Sequence, residues 1–189
     1  MYSLYLFEDL DGVNEEFTEK IISVLPRSCA EKADRYKNPD DRKCSAVGYL
    51  LLVYALRDKC GINDFSFIYG EHGKPYLDVQ GIYFNISHCA KGCVCVISDN
   101  EIGADIQETR IYSQRLAEKV CCENELSVLE GAQDKAAAFA KIWAMKESFV
   151  KMNGRGIGYS LKNADTTVLH FKEVIEKDGF YIAVSEKAE

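Results

Sequence analysis

The segment EIGADIQ, residues 101–107, places an acidic side chain on a strand that otherwise looks buried. Its apolar residues alternate with Gly103, Asp105 and Gln107, and this period of two is typical of a strand with one apolar face. Strands are poor in Asp and are weakened by Gly, so the polar face needs a reason. We expect Asp105 and Gln107 to point toward one ligand, with Gly103 leaving room for that ligand to approach the backbone.

A second acid lies on a predicted helix, in the segment FAKIWAMKESFVKMNGRG, residues 139–156. Phe139, Trp143, Glu147 and Lys151 are each four residues apart and therefore share one helix face. This stripe is apolar where it begins and charged where it ends, so its last part should lie at a surface or in a cleft. The simplest interpretation of Glu147 and Lys151 is a solvent-exposed ion pair.

That interpretation changes if Asp105 faces Glu147 across the seam between two halves of the chain. Two carboxylates ~4 Å apart repel each other by roughly 4 kcal/mol at an effective dielectric constant of ~20. A divalent cation relieves this repulsion, and ligands that are all oxygen suit Mg²⁺ or Mn²⁺. Gln107 points the same way as Asp105, so its amide oxygen could bind the ion directly or through water.

Further polar residues lie where predicted strands meet loops. FNISHC, residues 84–89, contains Asn85, Ser87 and His88, and HGKPYL places Lys74 before a proline in a turn. A Ser-His pair without a third partner does not make a catalytic triad and is usually structural or exposed. A turn lysine is usually solvated, so neither segment alone indicates a site.

Composition limits the classes of function. The chain has 189 residues, is 47% hydrophobic and has a net charge of -7, which suits one large or two small globular domains and disfavours broad binding to nucleic acid or an anionic membrane. The longest apolar run, YLLLVYAL, is too short to span a bilayer, and the first segment turns acidic after seven residues, unlike a signal peptide. The eight cysteines show no disulfide-like pattern. We therefore expect a cytoplasmic protein.

The first half of the chain reads as helices between strands. The predicted elements are the strand YSLYLF, the helix NEEFTEKIISVL, a long helix capped by Asn38 and ended by Gly61, and the strands FSFIY and IYFNISH around the turn-rich GEHGKPYLDVQG. Next, GCVCVIS and EIGADIQ are predicted to form a hairpin through Asp99 and Asn100.

The second half repeats this order of elements. A helical block covers about residues 112–153, is broken near Gly131 and ends near Gly154, and two strands follow around a Lys-Asp-Gly turn. The pattern predicts an α+β fold with antiparallel sheets. We expect two halves, residues 1–100 and 101–189, in one compact unit.

Four of these motifs together resemble a family. GKP, FNISH, IGADIQ and WAMKESFVKMNGRG occur in the order and approximate spacing of the 4′-phosphopantetheinyl transferases of the surfactin-synthetase-activating type. The resemblance runs from near Lys32 to the final hairpin. It implies two pseudo-symmetric α+β halves with coenzyme A between them. It also implies transfer of phosphopantetheine from coenzyme A to a serine of an acyl or peptidyl carrier protein, with release of adenosine 3′,5′-bisphosphate.

The resemblance also implies roles for individual residues. Asp105 and Glu147 match the ligands of Mg²⁺, with Gln107 at the third metal position. Glu147 matches the group that takes the serine proton, directly or through water, and Lys151 the lysine that stabilises or protonates the leaving phosphate. Contacts with coenzyme A are implied for Lys74, Ser87 and His88, and more generally for the basic residues Lys32 and Arg42.

Two positions depart from the family pattern. Gln107 replaces an acid, although some members also have Gln there. Cys44 replaces an arginine near the start of the long helix, and Arg42 is the candidate to supply the missing charge. The last residue of the FNISHC motif is Cys89, where the family has Ser, which is a small change.

Several rival interpretations stay open at this point. Within the family, the rival is the short trimeric carrier-protein synthase, but the length of the chain favours a pseudo-dimeric monomer. Outside the enzymes, the rival is a catalytically silent homologue that binds coenzyme A or a carrier. A two-carboxylate nuclease is disfavoured by the acidic balance and the lack of basic stripes. The residues do not rank Mg²⁺ over Mn²⁺ or one carrier pathway over another.

Overall fold

A computed structural model describes residues 1–110, 112–154, 156 and 161–188. Its elements, in chain order, are β1 (Tyr2–Phe7), α1 (Glu15–Val24), α2 (Arg27–Ala33), α3 (Pro39–Cys60), β2 (Phe67–Tyr69), β3 (Pro75–Leu77), β4 (Tyr83–His88), β5 (Cys93–Ser98), β6 (Ile102–Glu108), α4 (Gln114–Val120), α5 (Glu123–Gly131), α6 (Lys135–Asn153), β7 (Glu173–Lys177) and β8 (Phe180–Glu186). A 3₁₀ turn covers Leu161–Asn163. Arg155, in the motif after α6, lies outside the described residues.

The strands form two three-stranded sheets and a small hairpin. The strand orders are β1-β5-β4 and β6-β8-β7, and β2 pairs with β3. Each of these pairings is antiparallel. The predicted α+β class is therefore confirmed. The first sheet is built before residue 100 and the second after it.

The long helix α3 has the bounds that its sequence predicts. The side chain of Asn38 accepts the Asp40 N–H, Pro39 is the first helical residue, and Gly61 ends the helix at φ 66°. That left-handed conformation suits glycine because it has no Cβ. The caps act locally, so the sequence alone defines this element.

The predicted hairpin between β5 and β6 is wrong. β5 is the middle strand of its sheet and pairs with β1 and β4, whereas β6 pairs with β8. Both edges of β5 are thus occupied, and the chain crosses from one sheet to the other at residues 99–101. The apolar faces of the two strands pack instead, through Val94 and Val96 against Ile102 and Ile106.

The structure also adds elements that the sequence pattern did not indicate. Helix α2 has seven residues and no side-chain cap at Pro26, and β3 is a three-residue strand that begins with a proline inside the turn-rich segment. The second helical block is broken after Val120 as well as at Gly131. Short elements without caps give weak sequence signals, because packing rather than propensity determines them.

The helices cover the two sheets on different sides. Buried residues of α1, α2 and α3 pack against the first sheet in one core, and a second core fills the space between the sheets. Helix α6 lies along β6 and β8. Among the residues that the structure describes, no helix is both long and apolar enough to cross a membrane.

Candidate active site

Gly103 lets helix α6 lie directly on strand β6. A Cβ added to this residue would be 2.1 Å from the carbonyl oxygen of Ser148 and 2.3 Å from the amide nitrogen of Met152. Such distances are far below van der Waals contact, so no other residue fits without moving the helix. The expectation that Gly103 leaves room for a ligand is therefore wrong, because the helix backbone fills that space.

Strands β4 and β6 belong to different sheets but are joined by side chains. Oδ1 of Asn85 accepts the Ala104 N–H at 2.9 Å, and Oγ of Ser87 accepts the Ile106 N–H at 3.4 Å. The two side chains thus accept alternate backbone N–H groups of β6. In a continuous sheet, the backbone carbonyls of a neighbouring strand would accept these N–H groups. This junction fixes the backbone on both sides of Asp105.

Asp105 is buried at the junction, with 5% of its surface exposed. Its Oδ1 accepts a hydrogen bond from Ser87 Oγ at 2.7 Å and one from Lys151 Nζ at 2.6 Å, and Lys151 also donates to Ser87 Oγ at 2.9 Å. Its Oδ2 is buried and has no hydrogen-bond partner within the described residues. A buried carboxylate oxygen without a donor is costly and is a good candidate ligand for a cation.

Glu147 lies beside this group, and its pKa is raised. The main cause is burial, the negative charge of Asp105 adds to it, and the positive charge of Lys151 opposes it. Lys151 forms its ion pair with Asp105 and not, as the helix spacing suggested, with Glu147. An orphaned oxygen on Asp105 next to a second carboxylate fits a divalent cation with oxygen ligands.

The sequence suggested that the two acids face each other across the seam between the halves, and the structure shows that they do not. Asp105 is on β6 and Glu147 on α6, and both elements belong to the second half. The first half contributes Ser87 from β4. The acids meet because α6 packs on β6, which is a contact within one half.

A pocket of about 380 Å³ opens next to Glu147 and Lys151. Its lining includes Lys74, Asn85 and Leu161, together with Gly154 and Gly156 from the motif after α6. The volume lies within the usual range for small-molecule sites. Residues from both halves line it, so a bound molecule would contact both.

Lys74 joins the first half to the end of α6. Its Nζ donates to the carbonyl of Met152 at 2.8 Å and to that of Ile102 at 3.3 Å. Burial lowers the pKa of Lys74 to about 8, although Glu101 opposes the shift. A lysine at the end of a helix binds carbonyls that have no partner within the helix. Lys74 is therefore a structural contact as well as a pocket residue.

Comparisons with known families cover nearly the whole chain. The model described as 4′-phosphopantetheinyl transferase superfamily matches residues 101–183, and the model described as 4′-phosphopantetheinyl transferase, N-terminal, matches residues 12–100. The chain belongs to the 4′-phosphopantetheinyl transferase superfamily. This confirms the family that the four motifs indicated.

Relatives of this transferase are all named as phosphopantetheinyl transferases. The 4′-phosphopantetheinyl transferase Sfp of Bacillus subtilis (strain 168) is 28% identical over 166 residues, which cover 85% of this chain and 73% of that protein. The 4′-phosphopantetheinyl transferase gsp of Aneurinibacillus migulanus is 33% identical over 72% of this chain and 61% of that protein. L-aminoadipate-semialdehyde dehydrogenase-phosphopantetheinyl transferase of Saccharomyces cerevisiae is 28% identical over 176 residues, which cover 85% of this chain and 65% of that protein. The predicted enzyme class is confirmed.

Gln107 is not among the described residues that line the pocket beside Glu147 and Lys151. It lines a separate pocket of about 240 Å³ with Phe139 and Trp143, one to two turns before Glu147 on α6. Its Nε2 donates weakly to the carbonyl of Glu108 at 3.4 Å. The strand and the helix run side by side, so Gln107 faces the apolar part of the stripe while Asp105 faces the charged part.

His88 lies at the end of β4 and is exposed. Its pKa is lowered by partial desolvation and by the nearby charge of Lys151, which two carboxylates, Asp41 and Asp105, oppose. The ring is therefore near the site but does not line the pocket beside Glu147 among the described residues. The neutral form is favoured at neutral pH.

Arg42 and Lys32 already have partners elsewhere. Arg42 pairs with Glu19 at 2.6 Å and with Asp34 at 2.7 Å. Nζ of Lys32 lies 3.6 Å from the centroid of the Phe67 ring. The structure thus brings Asp105, Glu147, Lys151, Ser87 and Lys74 together, and leaves Arg42, Lys32 and Gln107 outside that group.

Asn85 is a site residue whose role was not predicted from the sequence. It lies two residues before Ser87 in the FNISHC motif, and so it faces the same neighbour on an extended strand. The signal that could have revealed its role was this spacing of two polar side chains on one face. The partners of these side chains could not be predicted from the sequence, because Asn85 and Ser87 accept N–H groups of a strand in the other sheet.

Proposed function

We propose that this transferase moves 4′-phosphopantetheine from coenzyme A to a serine of an apo acyl or peptidyl carrier protein and releases adenosine 3′,5′-bisphosphate. The observation that carries the proposal is the buried carboxylate of Asp105. One of its oxygens is held by Ser87 and Lys151, and the other is unpartnered within the described residues, beside Glu147 and the pocket. Such a group fits a cation and a polyphosphate together.

Asp105 and Glu147 are the residues that would hold Mg²⁺ or Mn²⁺. A bound divalent cation would supply charge neutralisation on the pyrophosphate oxygens. Gln107 lines the neighbouring pocket, and we assign it an outer position from which its amide oxygen acts through water. The unpartnered oxygen of Asp105 supports the choice of Asp105 as a metal ligand, because a cation would give this oxygen the partner that it lacks.

Glu147 is the proposed proton acceptor. The serine oxygen of the carrier attacks the pyrophosphate phosphorus nearer the pantetheine, and its proton passes to Glu147 directly or through water. The bond from that phosphorus to the bridging oxygen breaks, and adenosine 3′,5′-bisphosphate leaves with the electron pair. Burial and the charge of Asp105 raise the pKa of Glu147 when no cation is bound, which makes its carboxylate a stronger base than an ordinary one.

Lys151 is the proposed cation for the leaving phosphate. Its ammonium now neutralises Asp105 at 2.6 Å and would exchange this partner for the phosphate, where negative charge develops. Its position at the end of α6, one turn after Glu147, places both groups at the same pocket. The proposal gives the pair of residues separate tasks: one holds the proton and the other the charge.

Lys74, Ser87 and His88 are the proposed contacts with coenzyme A. An ammonium has three donors, and Lys74 uses two of them on backbone carbonyls, so one remains for a phosphate in the pocket. Ser87 and His88 lie at the end of β4, and the hydroxyl of Ser87 donates to Asp105. For Arg42 and Lys32, contact with coenzyme A would require that each leave its present partners.

The proposal is tested by incubation of the protein with coenzyme A, Mg²⁺ and a panel of apo acyl and peptidyl carriers. Mass spectrometry should show a carrier that gains phosphopantetheine. Asp105→Asn and Glu147→Gln should each abolish the gain and keep the wild-type circular dichroism. The exposed Gln133→Ala serves as a control that keeps wild-type transfer. Binding of coenzyme A without transfer to any carrier would favour the alternative, a catalytically silent homologue.

The proposal includes a monomeric enzyme in the cytoplasm. Residues from both halves of one chain line the pocket, so one copy supplies the groups named above. Sedimentation at assay concentration should show a monomer that transfers. A protein that transfers only as a trimer would contradict this part of the proposal and favour the short synthase type.

A further inference from the structure

Lys146 precedes Glu147 on α6 but points away from the pocket. Its side chain is completely buried, and its Nζ lies 2.6 Å from Oε2 of Glu125, which is equally buried on α5. A fully buried lysine is rare unless it is paired. The proposed chemistry uses Glu147 and Lys151 but gives Lys146 and Glu125 no role.

The ammonium of Lys146 has no donor left for a ligand. Besides Glu125, it binds the carbonyl of Leu161 at 2.9 Å and that of Ala164 at 2.6 Å. These three bonds use all three of its protons. Lys146 is therefore not a cation for phosphate, and its bonds instead hold the chain that follows α6.

Glu125 fixes the same stretch of chain from the other side. Its Oε1 accepts the N–H of Thr166 at 2.9 Å and the hydroxyl of Thr166 at 2.8 Å, and its Oε2 accepts the Cys122 N–H at 2.9 Å. Each oxygen thus has two donors. The sulfur of Cys122 and a carboxylate oxygen of Asp165 lie within 4.8 Å of Glu125, but these occupied oxygens are not free to bind a metal ion.

These bonds determine where one side of the pocket lies. Leu161 lines the pocket with Glu147, and its carbonyl is bound by Lys146. A buried ion pair is often replaceable by apolar residues without loss of stability, so filling space is not a sufficient reason for it. What an apolar pair cannot do is bind the carbonyls of residues 161 and 164 and both donors of Thr166.

We propose that Lys146 and Glu125 are positioning residues, which hold Leu161 and the segment to Thr166 so that the pocket fits coenzyme A. This inference rests on the proposed function. The pair holds Leu161, which lines the pocket, so its loss should weaken binding of coenzyme A. Because the pair does not touch the reacting atoms, the proton transfer of Glu147 should stay largely intact. A displacement of about 1 Å in a binding site can cost a large factor in rate or affinity.

The test compares Lys146→Met with a control, Leu56→Ala. Met keeps most of the length of the lysine and removes its donors, while Leu56 is buried on α3 in the core of the first half, to which Leu161 does not belong. We expect Lys146→Met to raise the KM for coenzyme A, and its Kd by calorimetry, roughly tenfold or more, with kcat changed less than about threefold. Leu56→Ala should lower the Tm and leave KM within about twofold of wild type.

Glu125→Gln is the second variant, and it decides the matter if Lys146→Met fails to fold. The amide keeps the shape and removes the charge that Lys146 needs, so the same rise in KM is expected. An unchanged KM, or a loss confined to kcat, would overturn the inference. A wild-type protein that neither binds coenzyme A nor transfers would contradict the proposed function, whereas a wild-type enzyme whose variants keep full affinity would contradict only this inference.

Discussion

Nζ of Lys151 lies 2.6 Å from Oδ1 of Asp105, and both atoms contact the hydroxyl of Ser87. The lysine therefore neutralises the carboxylate on which the proposed cation would lie. Two positive charges, the ammonium and a divalent ion, would then compete for one acid. This relationship makes Lys151 a factor in metal binding as well as in the transfer.

Lys151→Met should strengthen binding of a divalent cation in the absence of coenzyme A. Removal of the ammonium takes away the positive charge that pairs with Asp105, so we expect the affinity for Mn²⁺ to rise roughly tenfold, about 1.4 kcal/mol. Turnover should fall by roughly a hundredfold, because the leaving phosphate loses its cation. Isothermal titration calorimetry measures the first effect, and Lys151→Arg, which keeps the charge, is the control. An unaltered Mn²⁺ affinity would mean that Asp105 is not a metal ligand.

Glu147→Gln should make the protein more stable at neutral pH. The pKa of Glu147 is raised, mainly by burial, so the folded state binds its proton more tightly than the unfolded state does. The stabilising effect of that proton is complete below the unfolded-state pKa and is lost as the pH rises through the raised one. At pH 7 the ionised carboxylate thus costs stability, and the neutral amide removes this cost.

Chemical denaturation at pH 7 and at about pH 4 measures this difference. The gain from Glu147→Gln should be clear at pH 7 and should shrink toward zero as the wild-type carboxyl becomes protonated. The exposed Gln133→Ala removes no ionisable group and should change stability equally at the two pH values. A variant less stable than wild type at pH 7 would mean that the carboxylate is stabilised by its neighbours.

Gly103→Ala should separate α6 from β6. The added Cβ would lie 2.1 Å from the carbonyl oxygen of Ser148, which is backbone and cannot turn aside. We expect a loss of roughly 3 kcal/mol or more in the free energy of unfolding, together with a loss of transfer as the helix moves from Asp105. Gly131→Ala is the matched control, since a Cβ there meets nothing within 4 Å. It should be neutral or stabilising by up to about 1 kcal/mol. Equal effects of the two substitutions would contradict the close contact.

Gln107→Glu should give equal or tighter affinity for Mg²⁺, because a carboxylate binds a hard cation better than an amide does. Trp143, the one tryptophan of the sequence, lines the same pocket as Gln107, so its fluorescence can report the titration. The exposed Gln133→Glu controls for the added negative charge. If Mg²⁺ affinity clearly drops, the amide has another task, such as a contact with coenzyme A or the carrier.

The sequence predicted features that depend on local rules. The caps of α3 at Asn38 and Gly61 act within a few residues. The period of β6 put Asp105 on the polar face of the strand, and the period of α6 put Glu147 and Lys151 on one helix face. The family motifs gave the class of enzyme. Each of these signals is contained in a short stretch of chain.

Features that depend on distant partners were missed. The sequence favoured a hairpin of β5 with β6, since it could not show that β1 and β4 occupy both edges of β5. Lys146 looked like any other helical lysine, because Glu125 lies 21 residues before it and the carbonyls that it binds follow 15 and 18 residues later. Likewise, the space at Gly103 is filled by a helix that begins more than 30 residues further along the chain.

The junction of β4 and β6 through Asn85 and Ser87 makes two amide protons reporters of how the halves fit together. The N–H groups of Ala104 and Ile106 are held by side chains of another sheet. Their hydrogen exchange therefore requires only that β4 move away from β6, while amides within either sheet exchange when the strands themselves come apart. Faster exchange at these two positions than at their neighbours in β8 would measure the opening of the pocket, and slower exchange with coenzyme A would measure its closing.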